Sequence, residues 1–393
     1  MSSDSVVIVA ARRTPIGAFQ GALSGASAPQ LGAAAISAII ADAGIDPGDV
    51  DAVYMGCVLP AGLGQAPARQ AALGAGVPTG VPCTTVNKMC GSGMETIMLG
   101  HDLIRAGSAS IVVAGGLESM TNAPYLLPKS RRGYRMGHQE VLDHMFYDGL
   151  QDPWEGNMMG HYAEQTAQKY GFTREEQDAF AIESGTRAKA AVADGTFAGE
   201  ITPVTMSGRK GDVTVDEDET PGTVNLERIP TLRAAFAKDG TVTAASSSSI
   251  SDGAAAVLLM TAAEADKRGI TPMARLVAHS SFAQEPAWFT TSPVYALKVL
   301  HEKTGWTPDD VDLYEINEAF AVVTMAAIKD VGLDHAKVNV NGGACALGHP
   351  IGATGARIST TLLHALKARG GKRGIASLCI GGGEATAIAV EML

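Results

Sequence analysis

An α/β fold of two duplicated halves, interrupted by one long irregular segment, is the architecture this sequence predicts. Three observations carry the expectation: apolar strand-like runs alternate with amphipathic helix-like ones, one motif recurs at a fixed offset, and a second echo follows it in the same order. Gly44-Ile45-Asp46-Pro47-Gly48-Asp49-Val50-Asp51 matches Gly305-Trp306-Thr307-Pro308-Asp309-Asp310-Val311-Asp312 at Gly, Pro, Asp, Val and Asp, with 261 positions between the copies at both ends of the match. Each copy follows a helix-like stretch (28–43, 293–304) and precedes a strand-like one (52–56, 313–316). Further on, Arg105-Ala106-Gly107 leads to the run 111–116, and Ala368-Arg369-Gly370-Gly371 leads to 375–382. Strands separated by helices predict mostly parallel sheets with helices packed over their faces.

Between the halves the texture changes. Residues 121–251 carry Gly, Pro, Met and charge in place of regular alternation, including the basic stretch Lys129 to Arg135, the acidic run 216–219 and four serines at 246–249. Two helices are predicted there, over 161–170 and 174–193, the second capped by Thr173 with Glu176 at the capping-box position. The chain therefore divides into a first half (1–120 with 252–270), an inserted loop domain (121–251) and a second half (271–393). Long excursions from a regular scaffold usually carry binding or assembly roles.

Bulk properties narrow the function. A chain of 393 residues exceeds the size of most single cores, and 46% hydrophobic with 18% charged residues suits a well-buried globular protein. The net charge is −11 and no basic block is long enough to track a phosphate backbone, which argues against a nucleic-acid partner. Five scattered cysteines, an odd number, predict reduced thiols in a cytoplasmic protein, and without CxxC pairs the usual zinc signature is missing. The opening Met-Ser-Ser-Asp-Ser-Val-Val lacks a basic leader, and the apolar runs are too short or too Gly-broken to predict a membrane span.

Four loop positions concentrate chemistry. Cys90, in Asn87-Lys88-Met89-Cys90-Gly91-Ser92-Gly93, stands between a strand ending near Val86 and a helix beginning near Gly93. There the positive end of the helix dipole favours a thiolate, and glycines leave N–H groups free to bind an oxyanion. His349 lies among glycines after a strand-like run, 338–340, and before a helix; a neutral imidazole there can accept a thiol proton near pH 7, although taken alone the position reads first as a core or capping histidine. Cys379 ends the strand-like run 375–378 and precedes Ile380-Gly381-Gly382-Gly383, at the carboxyl end where α/β sheets open onto ligands. Asn317 follows the strand-like run 313–316; its amide can hold a water or carbonyl oxygen, and a helix N-cap is a rival but compatible reading.

Taken together, Cys90-Gly-Ser-Gly, Asn317-Glu-Ala-Phe-Ala, Gly348-His349-Pro-Ile-Gly-Ala and Cys379-Ile-Gly-Gly-Gly resemble the thiolase family in order and spacing, over essentially the whole chain, and most closely its biosynthetic type. The resemblance implies duplicated βαβαβαββ halves in a five-layered α-β-α-β-α core with an inserted loop domain. It implies an acyltransferase working by a ping-pong route, which cleaves or condenses short-chain 3-ketoacyl thioesters of coenzyme A; degradation of longer chains is the alternative. Acetyl-CoA, acetoacetyl-CoA and CoA would be substrates, with no metal and no cofactor beyond them. Carried over, Cys90 is the nucleophile and His349 its activator, which also forms an oxyanion hole with a water on Asn317. The N–H groups of Cys90 and Gly381 form a second hole, and Cys379 exchanges the α-proton. Met159, Phe236, Phe289 and Phe320 fall where the family lines its acyl pocket, and Ser248 where it meets pantetheine. Position 158 is Met where a His is common, 289 is Phe where short-chain members often have Met, Pro221 stands where an Arg is often found, and Ala245 to Ser249 lacks the usual glycines. The stretch 131–135 matches the loop through which the family forms homotetramers.

Overall fold

The computed structural model describes residues 5–208 and 211–393, so the first four residues of the opening stretch read above lie outside the described residues. The strands that frame the site are β1 (Val6–Arg13), β2 (Ala52–Gly56), β3 (Cys83–Val86), β4 (Ile111–Ser119), β5 (Ser251–Thr261), β6 (Ala274–Ala283), β7 (Leu313–Ile316), β8 (Arg373–Ile380) and β9 (Glu384–Met392). The principal helices are α1 (Ala28–Ala43), α2 (Pro67–Gly74), α3 (Ser92–Arg105), α4 (Met159–Tyr170), α5 (Arg174–Ala193), α6 (Ser292–Thr304), α7 (Ala321–Val331) and α8 (Thr354–Arg369).

The duplication is visible in the strand order. One continuous hydrogen-bonded path runs β7-β8-β9-β6-β1-β5-β4-β2-β3. The first half contributes β3-β2-β4-β5-β1. The second contributes β7-β8-β9-β6, with Val338 bridging in parallel to Tyr314 where the counterpart of β3 belongs. The halves meet at equivalent strands, β1 and β6, paired antiparallel through Val7 with Arg275 and Ile8 with Ala274. The repeated motif has the same work in each copy. Gly44 and Gly305 end their helices in the left-handed region, at φ 64° and 68°. Asp51 then accepts the N–H groups of Ser110 and Ile111, and Asp312 those of Lys372 and Arg373, tying the starts of neighbouring strands together.

Alternate strand residues face opposite sides, so each sheet region is buried on both faces. Val113 and Leu258 pack with Leu31, Ile36 and Ile39 of α1; Val112 and Leu259 pack with Met94 and Ile97 of α3 and Leu362 of α8. Leu378 and Ile388 reach that same central cluster from the second half, while Tyr314 and Ile375 pack outward on Leu297 and Leu300 of α6. Three apolar interiors between helices and sheet regions make five layers, with α3 and α8 at the centre. Their contact leaves no room for side chains at Gly355, where a Cβ would lie 2.3 Å from the Met94 nitrogen.

Three expectations are corrected. Only β2–β3, β2–β4 and β7–β8 pair in parallel among the named strands; the remaining pairs are antiparallel. Parallel neighbours need a crossover helix, whereas β8 and β9 are joined by the tight turn Gly381 to Gly383. In the first half the whole excursion from 120 to 250 takes the place of that turn, between the antiparallel β4 and β5. The strand expected at 338–340 reduces to the single bridge of Val338. Asn317 is not the N-cap of α7, which Phe320 occupies. Helix α5 spans Arg174–Ala193 with the Thr173–Glu176 capping box, and α4 begins at Met159, two residues earlier than its periodicity predicts. Among the described residues no helix is long and apolar enough to cross a membrane.

Candidate active site

Cys90 sits in the turn between β3 and α3, and its neighbours hold that turn rigid. Met89 adopts a left-handed φ of 46°. The Asn87 side-chain oxygen accepts the Met89 N–H at 2.9 Å. Ser92 Oγ accepts the Lys88 N–H at 2.8 Å and donates to the Met89 carbonyl at 2.6 Å. A Cβ on Gly91 would lie 2.4 Å from Ile380 Cδ1, so only glycine lets this turn press against the end of β8. An ion pair from Lys88 Nζ to Glu384 Oε2 clamps the same two loops from outside. The N–H groups of Gly381 and of Cys90 itself favour the thiolate, but burial outweighs them and, with a small push from Glu118, raises the thiol to about 11. Against the expectation that the helix start favours a thiolate, the sulfur therefore stays protonated near pH 7. A base is required.

His349 presents a candidate to the same cavity. Its backbone N–H donates to the Ser249 carbonyl at 3.1 Å, which docks it on the serine run. Ring nitrogen Nδ1 lies 2.6 Å from Thr354 Oγ1, and Thr354 Oγ1 lies 2.9 Å from the Pro350 carbonyl. The hydroxyl has one proton, and the carbonyl can only accept it. Nδ1 must then be the donor to Thr354, which leaves Nε2 with a free lone pair. Among the described residues Nε2 is buried without a hydrogen-bond partner. Burial, helped by the positive Arg357, lowers the imidazole to about 3, so it is neutral at physiological pH and available as an acceptor.

Cys90, His349 and Gly381 line one apolar cavity with Met159, Phe236, Ser248, Phe289 and Phe320. Eight of the ten residues singled out in the sequence thus meet in one place. The remaining two stand behind its wall. Cys379 is fully buried, packs in the same apolar cluster as Met159, Phe289 and Phe320, and is held well above the ordinary thiol range by burial and by the neighbouring Cys90. Asn317 donates its backbone N–H to the Ser377 carbonyl at 3.0 Å, and among the described residues neither of its buried amide atoms has a hydrogen-bond partner. The serine run holds this edge too: Ala321 N–H donates to Ser246 and Ser248 N–H to Ala319.

Sequence reasoning missed the groups that hold these loops. Thr354 sets the imidazole tautomer. Glu118, fully buried at the carboxyl end of β4, accepts the N–H groups of Val58 (2.9 Å), Leu59 (3.1 Å) and Gly352 (2.9 Å), three residues beyond His349. Its carboxyl is raised to about 7 by burial despite those donors. Glu318 binds Ser184 Oγ, Asn339 Nδ2 and the Cys345 N–H, fixing the loop that leads to His349. A carboxylate closing an apolar strand was the available signal for Glu118. Met158, Leu150 and Ile351 also line the cavity, so the side where the family often has a histidine is apolar here.

Known proteins resemble this chain in sequence and fold. A model of the thiolase N-terminal domain matches residues 6–263, and one of the thiolase C-terminal domain matches 270–392. The chain is 51% identical over 386 residues to an acetyl-CoA acetyltransferase of Pseudomonas aeruginosa, covering 98% of each protein. It is 49% identical over 392 residues to the mitochondrial acetyl-CoA acetyltransferase A of Xenopus laevis, covering 99% of this chain and 92% of that one. The crystal structure of the Bacillus anthracis acetyl-CoA acetyltransferase superposes with a TM-score of 0.97 at 42% identity, covering 99% of both chains.

Proposed function

Since this chain belongs to the thiolase family of acyltransferases, we propose the following reaction for it: an acetyl-CoA C-acetyltransferase that cleaves and forms short-chain 3-ketoacyl-CoA through an acyl-Cys90 intermediate. One observation carries the reading most: a thiol, a partnerless imidazole nitrogen and two backbone donors converge on a single apolar cavity.

In the cleavage direction His349 Nε2 takes the Cys90 proton as the sulfur attacks the 3-keto carbon. The paired pKa values disfavour a thiolate–imidazolium pair before substrate arrives, so proton transfer and attack proceed together. The new oxyanion is held by His349 with a water on Asn317 or by the N–H groups of Cys90 and Gly381; one such donor is typically worth about 3 kcal/mol. Its collapse breaks the bond between the α-carbon and the keto carbon. The departing carbanion takes the proton of Cys379, whose raised pKa keeps it a thiol until then, and acetyl-CoA leaves. Acyl-Cys90, a Cys379 thiolate and an imidazolium remain, the last two being opposite charges beside one cavity. CoA then attacks the acyl group. Its proton passes to Cys379, Cys90 leaves with the proton of His349, and every group returns to its starting state. Condensation of two acetyl-CoA molecules is the reverse sequence. As written, it needs no metal or redox cofactor.

The aromatic wall of Phe236, Phe289 and Phe320 supports a short acyl group, with Ser248 at the pantetheine. The exposed apolar side chains Tyr125, Leu127 and Met136 flank the basic stretch 131–135, which supports assembly of a homotetramer through this loop. We also read residues 1–120 with 252–270, 121–251 and 271–393 as the three units of the chain, and its location as cytoplasmic. Kinetics of CoA-dependent cleavage across 3-ketoacyl lengths from four carbons upward test the assignment. The largest kcat/KM at four carbons supports it; a maximum at longer chains gives the degradative alternative, and no turnover at any length overturns both. Light scattering of the purified protein tests the tetramer.

A further inference from the structure

Away from the reacting groups, His101, Asp102 and His279 bring three metal-ligating side chains to one point. His101 and Asp102 lie near the end of α3, the helix that begins beside Cys90, and His279 lies midway along β6. The cluster therefore joins the first half of the chain to the second. His101 Nδ1 and His279 Nε2 each stand 2.9 Å from Asp102 Oδ1. The two rings meet edge to face with centroids 5.2 Å apart, and all three ligand atoms fall within 4.8 Å of one another. Both imidazoles are largely covered, with 16% and 20% of their side chains exposed, while the carboxylate is 59% exposed. Two rings are thus held in place on the protein side, and the remaining side opens to water.

We propose that His101, Asp102 and His279 form a binding site for a borderline divalent transition-metal ion, with Zn²⁺ the best fit. Two imidazoles and one carboxylate select such ions over Mg²⁺ or Ca²⁺, which prefer shells of oxygen ligands. Tetrahedral ligands about 2.1 Å from zinc are about 3.4 Å from one another, close to the separations already present. The ion takes the place of the two N–H···O contacts, and the ring protons move to His101 Nε2 and His279 Nδ1, so no net proton is lost. Water fills the fourth position from the open side. Two cations oppose the ion and set a moderate affinity: Arg105 acts on His101, and Lys303 Nζ donates to the His279 carbonyl at 2.9 Å. The ion acts as a staple between halves whose sheet regions join at two paired positions of strand, and it stabilises the folded chain by binding that state alone.

Calorimetric titration of the full chain with ZnCl₂ in chelator-free buffer tests the site, beside thermal unfolding with and without the metal. The expected result is one saturable site of micromolar Kd and a rise in Tm. His101→Gln and His279→Gln should each weaken binding by about tenfold or more and abolish the rise, while acetyl transfer without added metal stays at the wild-type rate. Absence of saturable binding up to about 1 mM Zn²⁺ would overturn the proposal. So would unchanged binding in both variants, which would assign the ion to the cysteines.

Discussion

Replacing Thr354 with Val tests how the imidazole is held. The substitution keeps the shape of the side chain and removes the hydroxyl partner of His349 Nδ1. The Pro350 carbonyl stays satisfied, because it also accepts the backbone N–H groups of Ala353 and Thr354, both at 2.9 Å. The perturbation thus falls on one ring. A buried N–H left without an acceptor costs about 1–3 kcal/mol. With no acceptor holding the proton on Nδ1, the ring also populates the Nε2–H tautomer, which removes the base. Confined to the reacting state, 1–3 kcal/mol is roughly a five- to hundred-and-fifty-fold loss of kcat, with KM little changed. The assay is cleavage of acetoacetyl-CoA by CoA, followed as loss of enolate absorbance. Thr354→Ser keeps the hydroxyl and should recover most of the rate. A Val variant within about twofold of wild type would refute the tautomer argument.

The remaining predictions concern charge and loop support. Alkylation of Cys90 by iodoacetamide in the free enzyme should climb about tenfold per pH unit with no plateau below about pH 10, since burial holds the thiol at about 11. The folded state keeps that proton longer than the unfolded chain does, so stability is intact below the ordinary value of 9 and falls as pH rises from 9 towards about 11. His349, lowered from 6.5 to about 3, works the other way: the unfolded chain binds its proton first, and urea midpoints should fall as pH drops from 6.5 towards 3. Glu118→Ala strands three buried N–H groups at about 1–3 kcal/mol each, a loss comparable to a typical domain's whole stability; urea unfolding or loss of soluble protein should register it, with Glu118→Gln milder. Lys88→Ala should lower kcat roughly two- to fivefold by loosening the clamp between the Cys90 and Gly381 loops, and the exchange Lys88→Glu with Glu384→Lys should restore it.

Much of the fold was legible because it rests on local patterns. The run 111–116 announces a strand buried on both faces, Gly44 and Gly305 announce helix ends, and Thr173 with Glu176 announces the start of α5. Pairing direction was not legible. The link from β8 to β9 is three glycines while the link from β4 to β5 is an entire excursion, and nothing in periodicity says that both close antiparallel pairs. The reacting residues stood out because they sit in glycine-rich turns after strands, where packing alone gives little reason for Cys or His. Their supports did not. Glu118 acts on Gly352, 234 positions away, and Thr354 looks like any residue opening a helix until its hydroxyl is seen between a ring and a carbonyl. Hydrogen bonds between loops distant in the chain leave no periodic trace. The direction of the Cys90 shift was lost for a related reason, since desolvation depends on the surrounding walls rather than on the helix that follows.

The most direct test is to quench the enzyme after brief mixing with acetyl-CoA and locate the acetyl group by peptide mass spectrometry. It should sit on Cys90 alone, disappear on addition of CoA, and be absent from a Cys90→Ser variant that remains folded. Acetylation of any other residue in its place, or full turnover by that variant, would contradict the account.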